Sequence, residues 1–444
     1  MTIARTICLG FLGAIIFGTL LLMLPFATAS GDWNSPLTAL FTATSAVCVT
    51  GLVVVDTGTA FSHFGQGVIL LLIQLGGLGY MTLSTFLMLL LGRRFDLAQK
   101  FAIKESFDQP YSQGSRNLIR SIIATTLLGE LTGIILLFIH FSQDFSPGKG
   151  LWLAIFHSIS AWNNAGFSLF ADSLVGYQHA LLLNIAISGL VIFGGIGYEA
   201  IIEMYLWLRH RWLRKRRPFT FSLNFSVVTT TTLWLLGLGT VAFLFVEWAN
   251  PATLAGMGWG EKAIAAWFQS MTTRTAGFNS IDIGQMTTAG LFITMGLMFI
   301  GASPSGTGGG IKTTTINILA NCTKSVLYGQ DRVTVFNREI DQSIVFKAIA
   351  VVFGSVTVIT ISTAIISISN PDLELIAVLF EVISAFATVG LSTGITASLS
   401  PIGQMTLILT MYCGRVGVLL LMSAIVGEVA PRRISYPEEN LLVG

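Results

Sequence analysis

Gly51, Gly166, Gly277 and Gly390 stand 115, 111 and 113 residues apart, and each closes a similar stretch of chain. The stretches are residues 41–52 (FTATSAVCVTGL), 156–167 (FHSISAWNNAGF), 267–278 (WFQSMTTRTAGF) and 380–391 (FEVISAFATVGL). Each opens on an aromatic residue and runs through about two helical turns of small, apolar and hydroxyl-bearing residues. Each reaches its glycine ten residues on, with Leu or Phe following. The chemistry on offer is cation coordination by the backbone. A dehydrated cation needs oxygens in place of its lost water, and rings of backbone carbonyls supply them. Presenting several carbonyls in a row requires backbone angles that glycine reaches most easily. The residues before each glycine differ: Val49-Thr50, Asn164-Ala165, Thr275-Ala276 and Thr388-Val389. That variety fits a site where backbone, not side chain, coordinates. A single such glycine in a membrane protein reads first as a helix-packing residue. Four at one period, each after the same kind of segment, read as one strand each of a fourfold selectivity filter.

Composition sets the surroundings. Only 10% of the 444 residues are charged and 53% are hydrophobic, against roughly 25% charged in soluble domains. This is the composition of an integral membrane protein. The net charge of +2 gives no footprint for nucleic acid. Cys8, Cys48, Cys322 and Cys413 are scattered and read as packing residues rather than a metal site or disulfide framework. Arg5, the apolar run 7–24 and Ala27-Thr28-Ala29 mimic a signal peptide. The run is longer than an ordinary signal-peptide core, and it reads as a retained transmembrane helix.

The fold class expected is all-α and membrane-embedded, with four tandem repeats around a central pore. Each repeat is a helix, a re-entrant pore helix with its filter strand, and a second helix, giving eight spans. The repeats are residues 1–92, 93–208, 209–328 and 329–428, followed by a cytoplasmic tail at 429–444. The expected elements are 3–24, 35–47 and 66–91; 118–141, 149–162 and 180–208; 225–248, 260–272 and an interrupted 288–328; and 344–368, 371–386 and 402–426. The middle element of each set is shorter than the ~20 residues a membrane crossing needs. On this topology all but five of the 24 Lys and Arg fall on one side. The exceptions are Lys149, Lys262, Arg274, Lys312 and Arg415. The positive-inside rule then places both termini in the cytoplasm, with the filter opening outward. The cytoplasmic loops are too short for a soluble domain, so no nucleotide-binding module is expected in the chain.

Residues 301–315 (GASPSGTGGGIKTTT) interrupt the second helix of repeat three and cannot form a regular helix. They lack the Gly-Lys-[Ser/Thr] of a phosphate loop, because Ile311 separates Gly310 from Lys312. Flexible backbone at membrane depth beside a pore reads as a gate, with Gly306, Gly308, Gly309, Gly310 and Lys312 in it. In repeat four, MYCG (411–414) matches MFIG (298–301), and Arg415 follows. An arginine there is costly and by default functional. It is expected to face the pore below the filter, repelling cations or bonding the loop's carbonyls; the plainer alternative is an ion pair with Glu199 or Glu428. Arg274 reads as a strut bonding pore-helix carbonyls behind the filter. The motifs GGLGY (76–80) and GGIGY (194–198) read as packing or hinge. Glu199 and Glu203 read equally as solvated charges or a partner contact, the five histidines lack metal-ligand spacing, and the basic run 209–217 reads as a topology anchor.

These residues together (the four filter glycines, FQS…TRTAGFN, the GIK loop and MYCGR) resemble the Trk/Ktr/HKT superfamily of potassium transporters, closest to the bacterial KtrB (NtpJ-like) membrane subunits. The resemblance covers about residues 3–427. It implies K⁺ uptake, often Na⁺-dependent, by a homodimer with one pore per subunit in the plasma membrane. It also implies a separate cytoplasmic KtrA-type ring of nucleotide-binding regulators. By motif match the K⁺ ligands would be the carbonyls of Thr50, Gly51, Ala165, Gly166, Ala276, Gly277, Val389 and Gly390. Arg415 would be the gate arginine, and no cofactor is implied. All four filter positions are glycine, unlike the serine-bearing, Na⁺-preferring plant members; the loop's start, Gly301-Ala-Ser-Pro304, departs from the more glycine- and serine-rich form expected. A secondary transporter for another substrate would show inverted repeats, and these are parallel. A membrane enzyme would need a clustered acid, base or metal set that the sequence does not offer.

Overall fold

A computed structural model describes residues 3–79, 115–214 and 218–427. Residues 80–91 of the expected second helix of repeat one lie outside the described residues. So do the basic loop through residue 114, residues 215–217, Glu428 and the tail.

Regular structure among the described residues is almost entirely helical, apart from a short hairpin of Thr334–Val335 with Arg338–Glu339. Four helices are long and apolar enough to cross a membrane: Ile3–Met23, Ser115–Asp144, Leu223–Glu247 and Gln342–Ser369. At 1.5 Å per residue each reaches across a hydrocarbon core of ~30 Å. Each leads into a short helix: Pro36–Val47, Pro147–Trp162, Trp259–Thr272 and Leu375–Ala387. Pro36 and Pro147 start two of these, at the position where a missing N–H leaves no hydrogen bond unmade. A further apolar helix follows: His63–Leu78, Leu181–Ile196, Thr288–Phe299 and Pro401–Val416. Ser62, Thr287 and Ser400 cap three of them, accepting from the N–H of Gly65, Gly290 and Gly403 at 3.2, 3.0 and 3.2 Å.

Two elements differ from the sequence expectation. Residues 180–208 and 402–426 read as single helices, yet both break. Leu181–Ile196 meets Tyr198–Trp212 at 103°, and Pro401–Val416 meets Val418–Val426 at 94°. The break residues are Gly197 (φ 92°, ψ 139°) and Gly417 (φ 89°, ψ 137°), and Gly79 ends His63–Leu78 in the same conformation (φ 74°, ψ 135°). That backbone is reached readily only by glycine and leaves the helix at once. Helix-forming residues continue past both glycines, apolar after Gly417 and mixed after Gly197, so the sequence pattern does not reveal the bends. Counting each bent pair as one span gives up to six apolar spans among the described residues. The interruption in repeat three also differs at its end. Thr288–Phe299 stops, Ile300 pairs with Ile311, and the helix resumes at Thr313. The three threonines 313–315 therefore open the next helix and are not part of the loop.

Buried aromatics fix the short helices in the core. Phe41, Phe156, Phe268 and Phe380 are fully buried. In repeat three this is a correction, because the sequence spacing pairs Phe156 with Trp267, which is 37% exposed. Hydroxyl contacts give the true register. Ser158 donates to Glu130 O (2.7 Å) and Ser270 to Leu236 O (2.9 Å); Ser160 donates to Phe167 O (2.8 Å) and Thr272 to Phe278 O (2.7 Å). Phe268 thus corresponds to Phe156, and repeat three is one residue shorter between its short helix and its glycine.

Candidate functional site

The strands that follow the four short helices close on one another. Gly51, Gly166, Gly277 and Gly390 all have positive φ (89°, 68°, 75° and 92°). Two residues earlier, Val49, Asn164, Thr275 and Thr388 are also left-handed, at 58°, 57°, 66° and 52°. Such angles are uncommon for non-glycine residues, and here they recur in all four strands. A Cβ built on Gly51 would lie 2.4 Å from Ala165 O; on Gly166, 2.8 Å from Ala276 O; on Gly277, 2.3 Å from Val389 O; and on Gly390, 2.1 Å from Thr50 O. The contacts run 51 to 165, 166 to 276, 277 to 389 and 390 back to 50. The chain thus forms a closed ring in which each glycine faces the carbonyl that precedes the next. No side chain fits at these glycines, on grounds of both φ and space.

The short helices hold the ring from behind. Each bonds its strand through the backbone, as in Thr50 N to Ser45 O and Ala165 N to Ser160 O, both 2.8 Å, and Val389 N to Ser384 O at 2.9 Å. Ser45 Oγ accepts from Gly51 N–H at 3.0 Å and Ser384 Oγ from Gly390 N–H at 3.1 Å. Just past the ring, His157 Nε2 lies 3.0 Å from Ser168 Oγ. At the same place in repeat four, fully buried Glu381 accepts from Ser392 Oγ, from Thr393 N–H (3.1 Å) and from Thr396 Oγ1 (3.0 Å). The sequence singles out neither Glu381 nor, beyond its lack of metal-ligand spacing, His157. A signal was present, since each directly follows the opening phenylalanine and is the one ionisable side chain of its stretch.

The ring has two different faces. On one, a cavity of ≈480 Å³ is lined by all four ring glycines, by residues just after them, and by Asp56, Asp172 and Asp282. On the other, the 300–312 loop packs against residues that precede the glycines. A Cβ on Gly308 would lie 2.0 Å from Thr275 Oγ1, and one on Gly309 2.4 Å from Thr388 Oγ1. Thr388 Oγ1 accepts from Gly309 N–H at 3.0 Å, and Thr307 Oγ1 bonds Trp162 O (3.3 Å) and Asn164 Oδ1 (3.1 Å). The loop is anchored to repeat two by Ser303 N to Gly195 O (3.1 Å) and Thr307 N to Gly194 O (3.2 Å). Gly306 sits against Gly195 O, Gly310 is left-handed (φ 70°), and Lys312 Nζ donates to Gly308 O at 2.9 Å. The side chains of Asn164 and Thr388 thus bond the loop, a role their sequence variety concealed.

Arg415 lies in the last turn of Pro401–Val416, two residues before the break at Gly417, rather than in mid-helix. Its guanidinium donates to Thr307 O in the loop and to Gly76 O in repeat one. Glu199, offered above as its ion-pair partner, instead accepts from Asn224 Nδ2 at 2.7 Å. The GG motifs divide their work. Gly76, Gly194 and Gly414 press on Val47 O, Trp162 O and Phe386 O, while Gly197 and Gly417 make the bends. Arg274 does not act as the expected strut. Its Nε and Nη1 are buried with no hydrogen-bond partner among the described residues. At the corresponding position in repeat two, Asn163 Nδ2 donates to Gln74 Oε1 (2.9 Å) and Glu130 Oε1 (3.2 Å), a buried cluster the sequence reading did not single out.

Comparison with known proteins places this architecture. The family profile of the TrkH cation transport proteins matches residues 14–428. The chain is 38% identical to the Ktr system potassium uptake protein B of Vibrio alginolyticus, over 99% of this chain and 94% of that protein. It is 36% identical to the potassium/sodium uptake protein NtpJ of Enterococcus hirae, over 99% and 97% respectively. Among solved structures, the potassium transporter TrkH from Vibrio parahaemolyticus superposes with a TM-score of 0.69 at 17% identity, covering 94% of this chain and 84% of that one.

Proposed function

The chain belongs to the TrkH family of cation transport proteins, and from that premise we propose that it takes up K⁺ through the glycine ring. Its relatives in V. alginolyticus and E. hirae are named for potassium uptake and potassium/sodium uptake. The single observation that carries the reading is the cyclic closure of Gly51, Gly166, Gly277 and Gly390 on the carbonyls of Ala165, Ala276, Val389 and Thr50. In this reading those carbonyls, with those of the glycines themselves, replace the hydration shell of a K⁺ ion. The short helices aim their C-terminal ends at the ring, where their partial negative charge favours a cation. The Asp-lined cavity is the outer vestibule, where Asp56, Asp172 and Asp282 raise the local cation concentration. The 300–312 loop is the gate, and Arg415 is the latch that holds it to repeat one.

The proposed architecture is four helix–pore helix–helix repeats and eight spans, in the plasma membrane, with both termini cytoplasmic. The short helices support it, being re-entrant in length. Non-helical backbone at such depth is tolerated where it lines a cavity or is buried in protein. The names of the Ktr-system relatives support a multi-component assembly, here a homodimer on a cytoplasmic KtrA-type nucleotide-binding ring. Na⁺ acts as the coupling or activating ion.

The test is growth at limiting K⁺ of a bacterium lacking its own K⁺ uptake systems, expressing this chain with a KtrA-type partner, with and without added Na⁺. Rescue by the wild type is expected. Gly277→Ser is expected to fail or to lose K⁺ preference, because its Cβ would lie 2.3 Å from Val389 O. A fully active Gly277→Ser chain would return that glycine to a packing role.

A further inference from the structure

Arg274 poses a problem that the transport reading leaves unsolved. Its side chain is a permanent cation, and the residue is 8% exposed. Among the described residues it makes no ion pair, and Nε and Nη1 have no acceptor. A buried charge is retained when it is paired and hydrogen-bonded. Arg274 borders a cavity of ≈20 Å³ whose lining includes Thr232, Leu236, Ile196 and the loop residue Ala302. Thr232 is 5% exposed, and its Oγ1 also lacks a partner.

The repeat register explains why no carboxylate of the described residues meets Arg274. Ser158 bonds Glu130 O and Ser270 bonds Leu236 O, so Leu236 in repeat three stands where Glu130 stands in repeat two. Gly133 and Gly239, three residues on, confirm the match, each meeting that serine's Oγ at 2.3 Å from its built Cβ. In repeat two the carboxylate of Glu130 fills this place and accepts from Asn163. In repeat three the acid is replaced by leucine, the polar residue facing it is a cation, and a cavity remains between them.

We propose that this cavity holds one small monovalent anion of halide size, bound by Arg274 Nε and Nη1 and by the hydroxyl of Thr232. Its volume admits one water-sized particle, for which ~10–15 Å³ is the minimum. The lining decides which particle. It offers two N–H donors and one hydroxyl amid apolar side chains, so an acceptor-only anion is fully satisfied there. A water would have to place two hydrogens where the Thr232 hydroxyl is the one unpartnered side-chain acceptor in the lining. The anion stands in for the carboxylate of repeat two. It neutralises the charge three residues before Gly277 and touches the loop at Ala302.

The test uses the full-length protein and has two readouts that do not involve K⁺ flux. Crystals grown with bromide in place of chloride should show an anomalous peak within hydrogen-bond distance of the Arg274 guanidinium. In detergent, exchanging potassium gluconate for potassium chloride at constant K⁺ should raise Tm saturably. Leu236→Glu supplies the missing carboxylate and should abolish both the peak and the chloride shift. Arg274→Gln keeps amide donors without the charge and should lose the shift as well, so the proposal is tested even if one variant folds poorly. A wild type indifferent to halide, a water or a carboxylate of the chain in place of bromide, or a chloride shift retained in folded Arg274→Gln would overturn it.

Discussion

Removing the Arg415 guanidinium should release the loop beneath the ring. Its two hydrogen bonds, to Thr307 O and Gly76 O, tie the loop to repeats one and four. A hydrogen bond to a charged group contributes roughly 1.5–3 kcal/mol, so the pair holds the loop in place by about 3–6 kcal/mol. Other contacts of the loop survive the substitution: Ser303 N, Thr307 N and Thr307 Oγ1 to repeat two, and Gly309 N to Thr388. They limit how far the loop can move, and water can re-satisfy the freed carbonyls, so the lower figure is the appropriate one. At 1.4 kcal/mol per tenfold, 3 kcal/mol shifts the displaced population by roughly 150-fold. Arg415→Ala should therefore raise Rb⁺ flux into proteoliposomes, measured without any regulatory partner, by at least about tenfold. Arg415→Lys should fall between, because an ammonium lacks the planar fork that reaches both carbonyls. Thermal unfolding is followed in parallel to show that each variant is folded. A folded Arg415→Ala protein whose flux equals or falls below the wild type's would refute the latch.

Two further outcomes follow from the ring's surroundings. Glu381→Gln keeps an acceptor for Thr393 N–H and should change stability by no more than ~1 kcal/mol. Glu381→Leu strands that N–H and the Ser392 and Thr396 hydroxyls, and should cost about 3 kcal/mol, read as a drop in Tm with impaired flux. Changing Asp56, Asp172 or Asp282 to Asn keeps an oxygen for the backbone N–H that each now accepts, while removing a charge from the vestibule. Each should raise the apparent KM for K⁺ about two- to fivefold at low salt, from roughly 0.5–1 kcal/mol of lost attraction in water, and the effect should fade as salt is added.

The ring was legible because its requirement is local. Each strand needs one residue with positive φ and no side chain, and only glycine meets both, so Gly51, Gly166, Gly277 and Gly390 carry the fold's plan in their spacing. The loop was legible for a similar reason, since Gly-rich sequence around Pro304 cannot continue a helix. The bends at Gly197 and Gly417 were not, because a glycine inside an apolar run serves equally as a packing residue. Gly194 and Gly414, a few residues earlier, do just that. Whether a glycine packs or bends is decided by what lies opposite it, which sequence does not reveal. The same limit hid the work of Glu381, His157 and Glu130, whose partners are brought to them by the fold. The one-residue offset in repeat three was hidden by a coincidence of composition, since Trp267 and Phe268 both satisfy an aromatic pattern and only burial separates them.

The central claim is that the glycine ring is where the permeant ion is stripped of water and held. Anomalous scattering from crystals soaked in Tl⁺ or Rb⁺ tests it most directly. A peak is expected on the ring axis, within coordination distance of the carbonyls of Thr50, Ala165, Ala276 and Val389, and lost in Gly277→Ser. Ordered strands with no peak between them, or a peak only in the Asp-lined vestibule, would contradict the account.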